Sequence, residues 1–197
     1  MWLTTLWMYP AQPLLWGVVI AASLVAAALD LKNRRIPNWL TGPVFLGGLV
    51  FATVVGGLPG LLDSLLGALV MMLPFFLLFV FVRGGAGDAK LMAALGAWLG
   101  PVNGLFALGA VLAAGAVLAL CFALLSKQLR QVARNISGMI LALWCLVWGR
   151  GRIVTLEQAR QSAPQQRIRM AYGLAVLVGT IAAAIGVLLW RRAIGAY

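Results

Sequence analysis

Long apolar runs separated by short polar stretches set the pattern of this chain. A helix needs about 20 apolar residues to cross a bilayer, and fewer where short helices are bundled. Six segments meet that requirement, near 13–31, 38–57, 61–82, 88–100, 102–125 and 170–190. The fourth is short and runs into Pro101-Val102-Asn103-Gly104, a turn signal that makes the fourth and fifth a tight helical hairpin. The pattern predicts an all-α fold: a polytopic membrane protein built as one unit over residues 1–197, a six-transmembrane-helix bundle with a cytoplasmic interfacial helix.

That last element comes from a seventh apolar run, Ile136 to Trp148, whose length suits an interfacial or re-entrant segment as well as a span. Charge bias decides between them. If the run does not cross, the loops after segments one, three and five share one side with all 15 basic residues except Arg191 and Arg192. If it crosses, Arg150 through Arg169 move to the opposite side. The positive-inside rule favours six spans, both termini outside, and an interfacial stretch at about 127–169 on the cytoplasmic face.

Composition agrees. The chain is 63% hydrophobic with a mean hydropathy of +1.02 and only 10% charged residues, as expected when lipid excludes charge. A net charge of +11 fits nucleic-acid binding only where soluble sequence carries it, and almost none is present, so the basic residues are read as setting orientation and touching anionic lipid. Cys121 and Cys145 lie in apolar runs without CxxC or metal-ligand spacing and read as packing residues. There is no histidine, which excludes His metal sites, Ser-His triads and imidazole acid–base chemistry. The first 13 residues lack a positive n-region, so a removable signal peptide is not expected. Ala89, Ala93, Ala97 and Gly100, then Gly109 and Ala113, recur at helix-contact spacing and predict close backbone packing in lipid.

With only four carboxylates, each can be weighed. Asp63 stands near the start of the third segment, where a carboxylate suits a positive helix end or the headgroup region. Glu157 lies among arginines in a polar stretch and reads as a solvated charge. Asp30 closes the apolar run WGVVIAASLVAAALD and either pairs with Lys32, Arg34 or Arg35 at the interface or does chemistry. Asp88 follows Gly84, Gly85 and Gly87 and either caps the fourth helix or does chemistry. The topology sets these two at the same depth, one ending a helix and one starting a helix on the same side. Two carboxylates close together in apolar surroundings do not comfortably both ionise, and a pair sharing one proton suits activation of water. Gly85 and Gly87 lack a Cβ, can take positive φ, and would let a substrate backbone approach. Lys90, two residues on, is turned roughly 200° away and reads as a substrate contact or a lipid-snorkelling charge.

Three stretches carry a family resemblance: Asp30-Leu-Lys-Asn-Arg-Arg-Ile-Pro-Asn38, Gly85-Ala-Gly-Asp88-Ala-Lys90-Leu-Met-Ala-Ala-Leu-Gly-Ala-Trp-Leu-Gly100, and the weaker Met170-Ala-Tyr-Gly-Leu-Ala175. Together they resemble the type IV prepilin peptidases of the GxGD class of intramembrane aspartyl proteases, in the short form serving Flp-type (Tad) pili. The resemblance covers about residues 13 to 190. It implies cleavage of prepilins and pseudopilins at the cytoplasmic face of the bacterial inner membrane, by water activated between Asp30 and Asp88. Gly85, Gly87 and Lys90 would lie near the substrate, and no metal or other cofactor is required. Long family members carry an N-terminal cysteine-bearing insertion and also methylate the new N-terminus. Here the first aspartate comes at position 30 without it, so peptidase activity alone is expected.

A competing reading is a small proton-coupled transporter or adaptor with Asp30, Asp88 and Lys90 as an ion relay. Both aspartates at one membrane edge disfavour it, since relays sit near the midplane. A presenilin-like protease shares GxGD but pairs it with a Tyr-Asp block, and here Leu29 precedes Asp30. The basic face is expected to bind anionic lipid and an acidic residue early in the mature substrate. Neutralising Arg34 and Arg35 together should therefore lower cleavage or disturb membrane orientation. Unchanged processing and topology in the double variant would remove that role.

Overall fold

In a computed structural model of the chain, residues 12–33, 35–82, 85–125 and 172–193 are described. All regular structure among them is helical: α1 (Gln12–Asn33), α2 (Asn38–Val82), α3 (Ala86–Leu125) and α4 (Tyr172–Ala193). Among the described residues four helices are long and apolar enough to cross a membrane, which makes the chain a multi-pass membrane protein. The predicted interfacial stretch at 127–169, the run at 136–148, Cys145, Glu157 and the N-terminal residues before 12 lie outside the described residues.

The two long helices are not straight. α2 breaks at Gly57 (φ 62°) and α3 at Gly100 (φ 70°), the left-handed region that L residues with a Cβ avoid. Beyond Gly57 the chain turns back, because a Cβ at Gly60 would run into the backbone of Ala52. Eight residues along a straight helix would keep those positions about 12 Å apart. The break at Gly100, followed by Pro101, falls where the turn signal predicts the fourth segment to end. Gly67 packs on the backbone at the break and one turn before it: a Cβ there would strike the Gly96 carbonyl and stand 2.6 Å from Gly100 Cα.

Pro101 has no N–H, so in a helix it leaves the carbonyl four residues earlier, that of Ala97, without its usual donor. Lipid supplies no substitute. The buried Ser64 hydroxyl of α2 donates to that carbonyl at 2.7 Å. The indole N–H of the adjacent Trp98 donates to Val44 O, also at 2.7 Å, and its ring stacks on Phe51. A Cβ at Gly48 would meet the Ala97 backbone at 3.0 Å. The first half of α3 is thus clasped by both halves of α2, and Leu91, Met92 and Leu95 on it are fully buried. Beyond Gly100, α3 packs on α4, where Gly179 lies against Val111. α4 in turn lies along α1 at Ala26, Ala27 and Asp30. Asp63 is buried among the helices, in the stretch of α2 just beyond the break at Gly57.

Ser64→Ala should leave the buried Ala97 carbonyl unpaired and cost about 1–3 kcal/mol. Thr53→Ala removes an exposed hydroxyl that bonds Leu49 O within its own helix and should change little. Thermal unfolding in detergent should separate the two variants by several degrees.

Candidate functional site

The ends of three helices and the break between α1 and α2 meet at one end of the bundle. α1 stops at Asn33 just before Pro37, whose preceding residue is kept out of helical geometry. The Pro37 carbonyl accepts from Leu40 N–H at 3.2 Å and Thr41 N–H at 3.4 Å, which starts α2 one residue later. α3 starts at Ala86, and Asp88 N–H donates to Gly85 O at 3.2 Å, so Gly85 is the cap and Asp88 lies in the first turn. Acidic residues favour that position because the exposed N–H groups make the helix start positive.

Asp30 has the opposite setting. It sits in the last turn of α1, at the negative end of that helix, and is 8% exposed. Its Oδ2 accepts the backbone N–H of Gly173, in the first turn of α4, at 2.9 Å. The positive end of one helix thereby offsets the negative end of another at the carboxylate. Asp88 is half-buried and its carboxyl accepts no hydrogen bond among the described residues, so it is the more accessible of the two. The two aspartates are close enough for the charge of Asp30 to act on Asp88, and Asp88 in turn acts on the Tyr172 hydroxyl.

The glycines each have a definite neighbour. A Cβ at Gly85 would stand 2.7 Å from Asp88 Oδ2, so this glycine clears space for the carboxyl itself. A Cβ at Gly87 would lie 3.2 Å from Ile36 Cβ, so this one lets α3 press on the α1–α2 connection. Neither has the positive φ that the sequence allowed, because α3 already begins at Ala86; the positive values fall at Gly57 and Gly100 instead. Lys90 is exposed, and its Nζ donates to Asn38 Oδ1 at 3.1 Å, joining the first turn of α3 to that of α2.

Three contributors are hard to see in the sequence. Tyr172 and Gly173 stand out there only as a short Tyr-Gly pair opening the last apolar run, and nothing local marks Gly173 as the partner of a residue 143 positions earlier. Asn38 reads as a helix starter, and its link to Lys90 becomes visible only once α2 and α3 are side by side.

A family model described as the type IV leader peptidase family matches residues 17–124, a stretch that contains both Asp30 and Asp88. The chain is 37% identical over 101 residues to a prepilin leader peptidase/N-methyltransferase of Klebsiella pneumoniae, covering 47% of this chain and 44% of that protein. Proteins of the same description from Pectobacterium carotovorum subsp. carotovorum and Aeromonas hydrophila are 40% and 41% identical over 95 and 97 residues. Those matches cover 44% and 43% of this chain and 34% and 33% of the relatives. The chain therefore spans between a third and a half of the length of these curated relatives. No solved structure gives a significant match.

The Lys90–Asn38 bond is exposed and should contribute little, below about 1 kcal/mol. Lys90→Met and Asn38→Ala should each lower the melting temperature slightly, and the double variant should match the worse single one. Fully additive losses in that cycle would show that the two side chains act independently.

Proposed function

Because the chain belongs to the type IV leader peptidase family, we propose that it is a membrane aspartic endopeptidase that removes the leader of type IV prepilins and pseudopilins, those of Flp-type pili in particular. What supports this reading is that Asp30, at the end of one helix, and Asp88, at the start of another, stand at the same end of the bundle, with Asp88 near enough to feel the charge of Asp30. Peptide hydrolysis needs a base to take a proton from water and an acid to polarise the carbonyl. A carboxylate pair holding one proton supplies both. The ionised member takes a proton as the water oxygen bonds to the scissile carbon, while the protonated member donates to the carbonyl oxygen. Collapse of the tetrahedral intermediate breaks the C–N bond: one of its hydroxyls returns a proton to the pair as the carboxyl product forms, and a proton from the pair goes to the leaving amine. Asp88, accessible and cleared by Gly85, is suited to meet the incoming peptide, with Gly87 and Lys90 supporting its turn of helix.

We place six crossings in the bundle. The apolar stretches Asn38–Phe79 and Ala86–Cys121 hold 42 and 36 residues, about twice what one crossing needs, and each contains a positive-φ glycine break. With that count the positive-inside rule puts the aspartate end, and the interfacial stretch at about 127–169, on the cytoplasmic side of the bacterial inner membrane. Prepilins would present the leader boundary there, and the basic face would sit on anionic lipid.

Co-expression with a Flp-type prepilin should yield a shortened pilin. Asp30→Asn and Asp88→Asn should each abolish shortening, a loss of at least about 10³-fold. Gly85→Ala, which pushes a methyl group into the Asp88 carboxyl, should slow it about tenfold. Normal processing by either Asn variant would disprove the dyad and leave an ion-relay role for the pair.

A further inference from the structure

α4 begins at the aspartate end with Tyr172 and Gly173. The N–H groups in the first turn of a helix have no partner inside it. That of Gly173 is taken by Asp30 Oδ2, in a buried contact that links residues from opposite ends of the chain. The approach is close: a Cβ at 173 would lie 3.0 Å from Ala27 Cα and 3.1 Å from Asp30 Cβ, so alanine fits there once its neighbours give way slightly. The preceding residue holds the peptide in place. The Tyr172 ring meets Phe75 of α2 edge-on, with centroids 5.5 Å apart and planes at 69°. Its hydroxyl rests on Gly115 of α3, where a Cβ would come within 2.6 Å of the oxygen. Three helices thus fix the orientation of one N–H, and that N–H fixes one carboxylate.

We infer that the Tyr172–Gly173 pair is the positioning element of the aspartate dyad: the Gly173 N–H holds Asp30 Oδ2, turning Oδ1 toward the water to be activated, and Tyr172 anchors that N–H between Phe75 and Gly115. The inference rests on the dyad reading above and adds a third chain segment to it. Neither residue needs to touch the substrate. A preset carboxylate rotamer lowers the barrier without changing how tightly the prepilin binds.

The test compares Gly173→Ala with Gly173→Pro in the full-length protein in detergent, with purified prepilin as substrate. Alanine adds a Cβ and keeps the N–H. Proline adds a Cβ and removes the N–H, at a helix start where proline is tolerated. Gly173→Pro should have a kcat roughly tenfold or more below that of Gly173→Ala, with KM and melting temperature alike in the two. Gly115→Val, which displaces the Tyr172 ring, should also lower kcat and leave KM unchanged. Equal kcat in the proline and alanine variants at equal melting temperature would overturn the inference. So would a rise in KM at unchanged kcat, which would make the segment a substrate contact.

A second measurement holds even if the proline variant does not fold. In ¹⁵N-glycine-labelled protein, the Gly173 amide, identified by its loss in Gly173→Ala, should move markedly upfield in its proton dimension in Asp30→Asn, where a neutral amide oxygen replaces the carboxylate. An unmoved signal would show that the bond is not made. The Asn variants separate the two ideas: full cleavage by Asp30→Asn or Asp88→Asn removes the dyad, whereas inactive Asn variants with equal Ala and Pro activities remove only the positioning role.

Discussion

The hydrocarbon interior of a bilayer offers no hydrogen-bond partner, and this constraint governs how the chain is built. Every carbonyl that a proline frees inside the membrane must be satisfied from another helix or left at a cost. At Ala97 the satisfaction comes from Ser64, and the bond ties the break in α3 to the middle of α2. The Trp98–Val44 bond, one residue along, holds the same stretch to the first half of α2. The first half of α3, which carries Asp88 at its start, is therefore anchored at its far end by polar bonds. Along its length it is held by buried Leu91, Met92 and Leu95.

Between helices the attraction is close packing, since lipid tails are as apolar as the side chains they would replace. Small residues do most of this. Gly67 against Gly96 and Gly100, Gly48 against Ala97, and Gly179 against Val111 bring backbones to distances that a methyl group would prevent. The same device works at the candidate site, where Gly173 lies against Ala27 and Asp30. Close approach there has a chemical consequence as well as a mechanical one. It delivers a helix N-terminal N–H to a carboxylate that its own helix disfavours, so the geometry that packs α4 on α1 also makes buried Asp30 tolerable.

The sequence alone determined that the chain is helical and spans the membrane several times, because twenty-residue apolar runs leave few other options. It also determined which acids deserved attention, since a carboxylate at the edge of such a run is costly enough to need a reason. The break at Gly100 was legible from the turn signal after it. The break at Gly57 falls at the predicted bound between the second and third segments, though nothing local marked its left-handed φ. That Asp63 is buried was not legible, because its burial depends on how the second half of α2 packs beyond the break at Gly57.

What only the tertiary structure decided are the partners. Gly85 and Gly87 look alike in sequence, yet one makes room for Asp88 of its own helix start and the other for Ile36 of the α1–α2 connection. Lys90 finds Asn38 across 52 residues, and Asp30 finds Gly173 across 143. Local pattern reports the preferences of a residue and its near neighbours through helix periodicity, capping and hydropathy. It carries no information on which remote N–H a carboxylate will meet, because that depends on how the helices pack together, and packing is a property of the whole bundle.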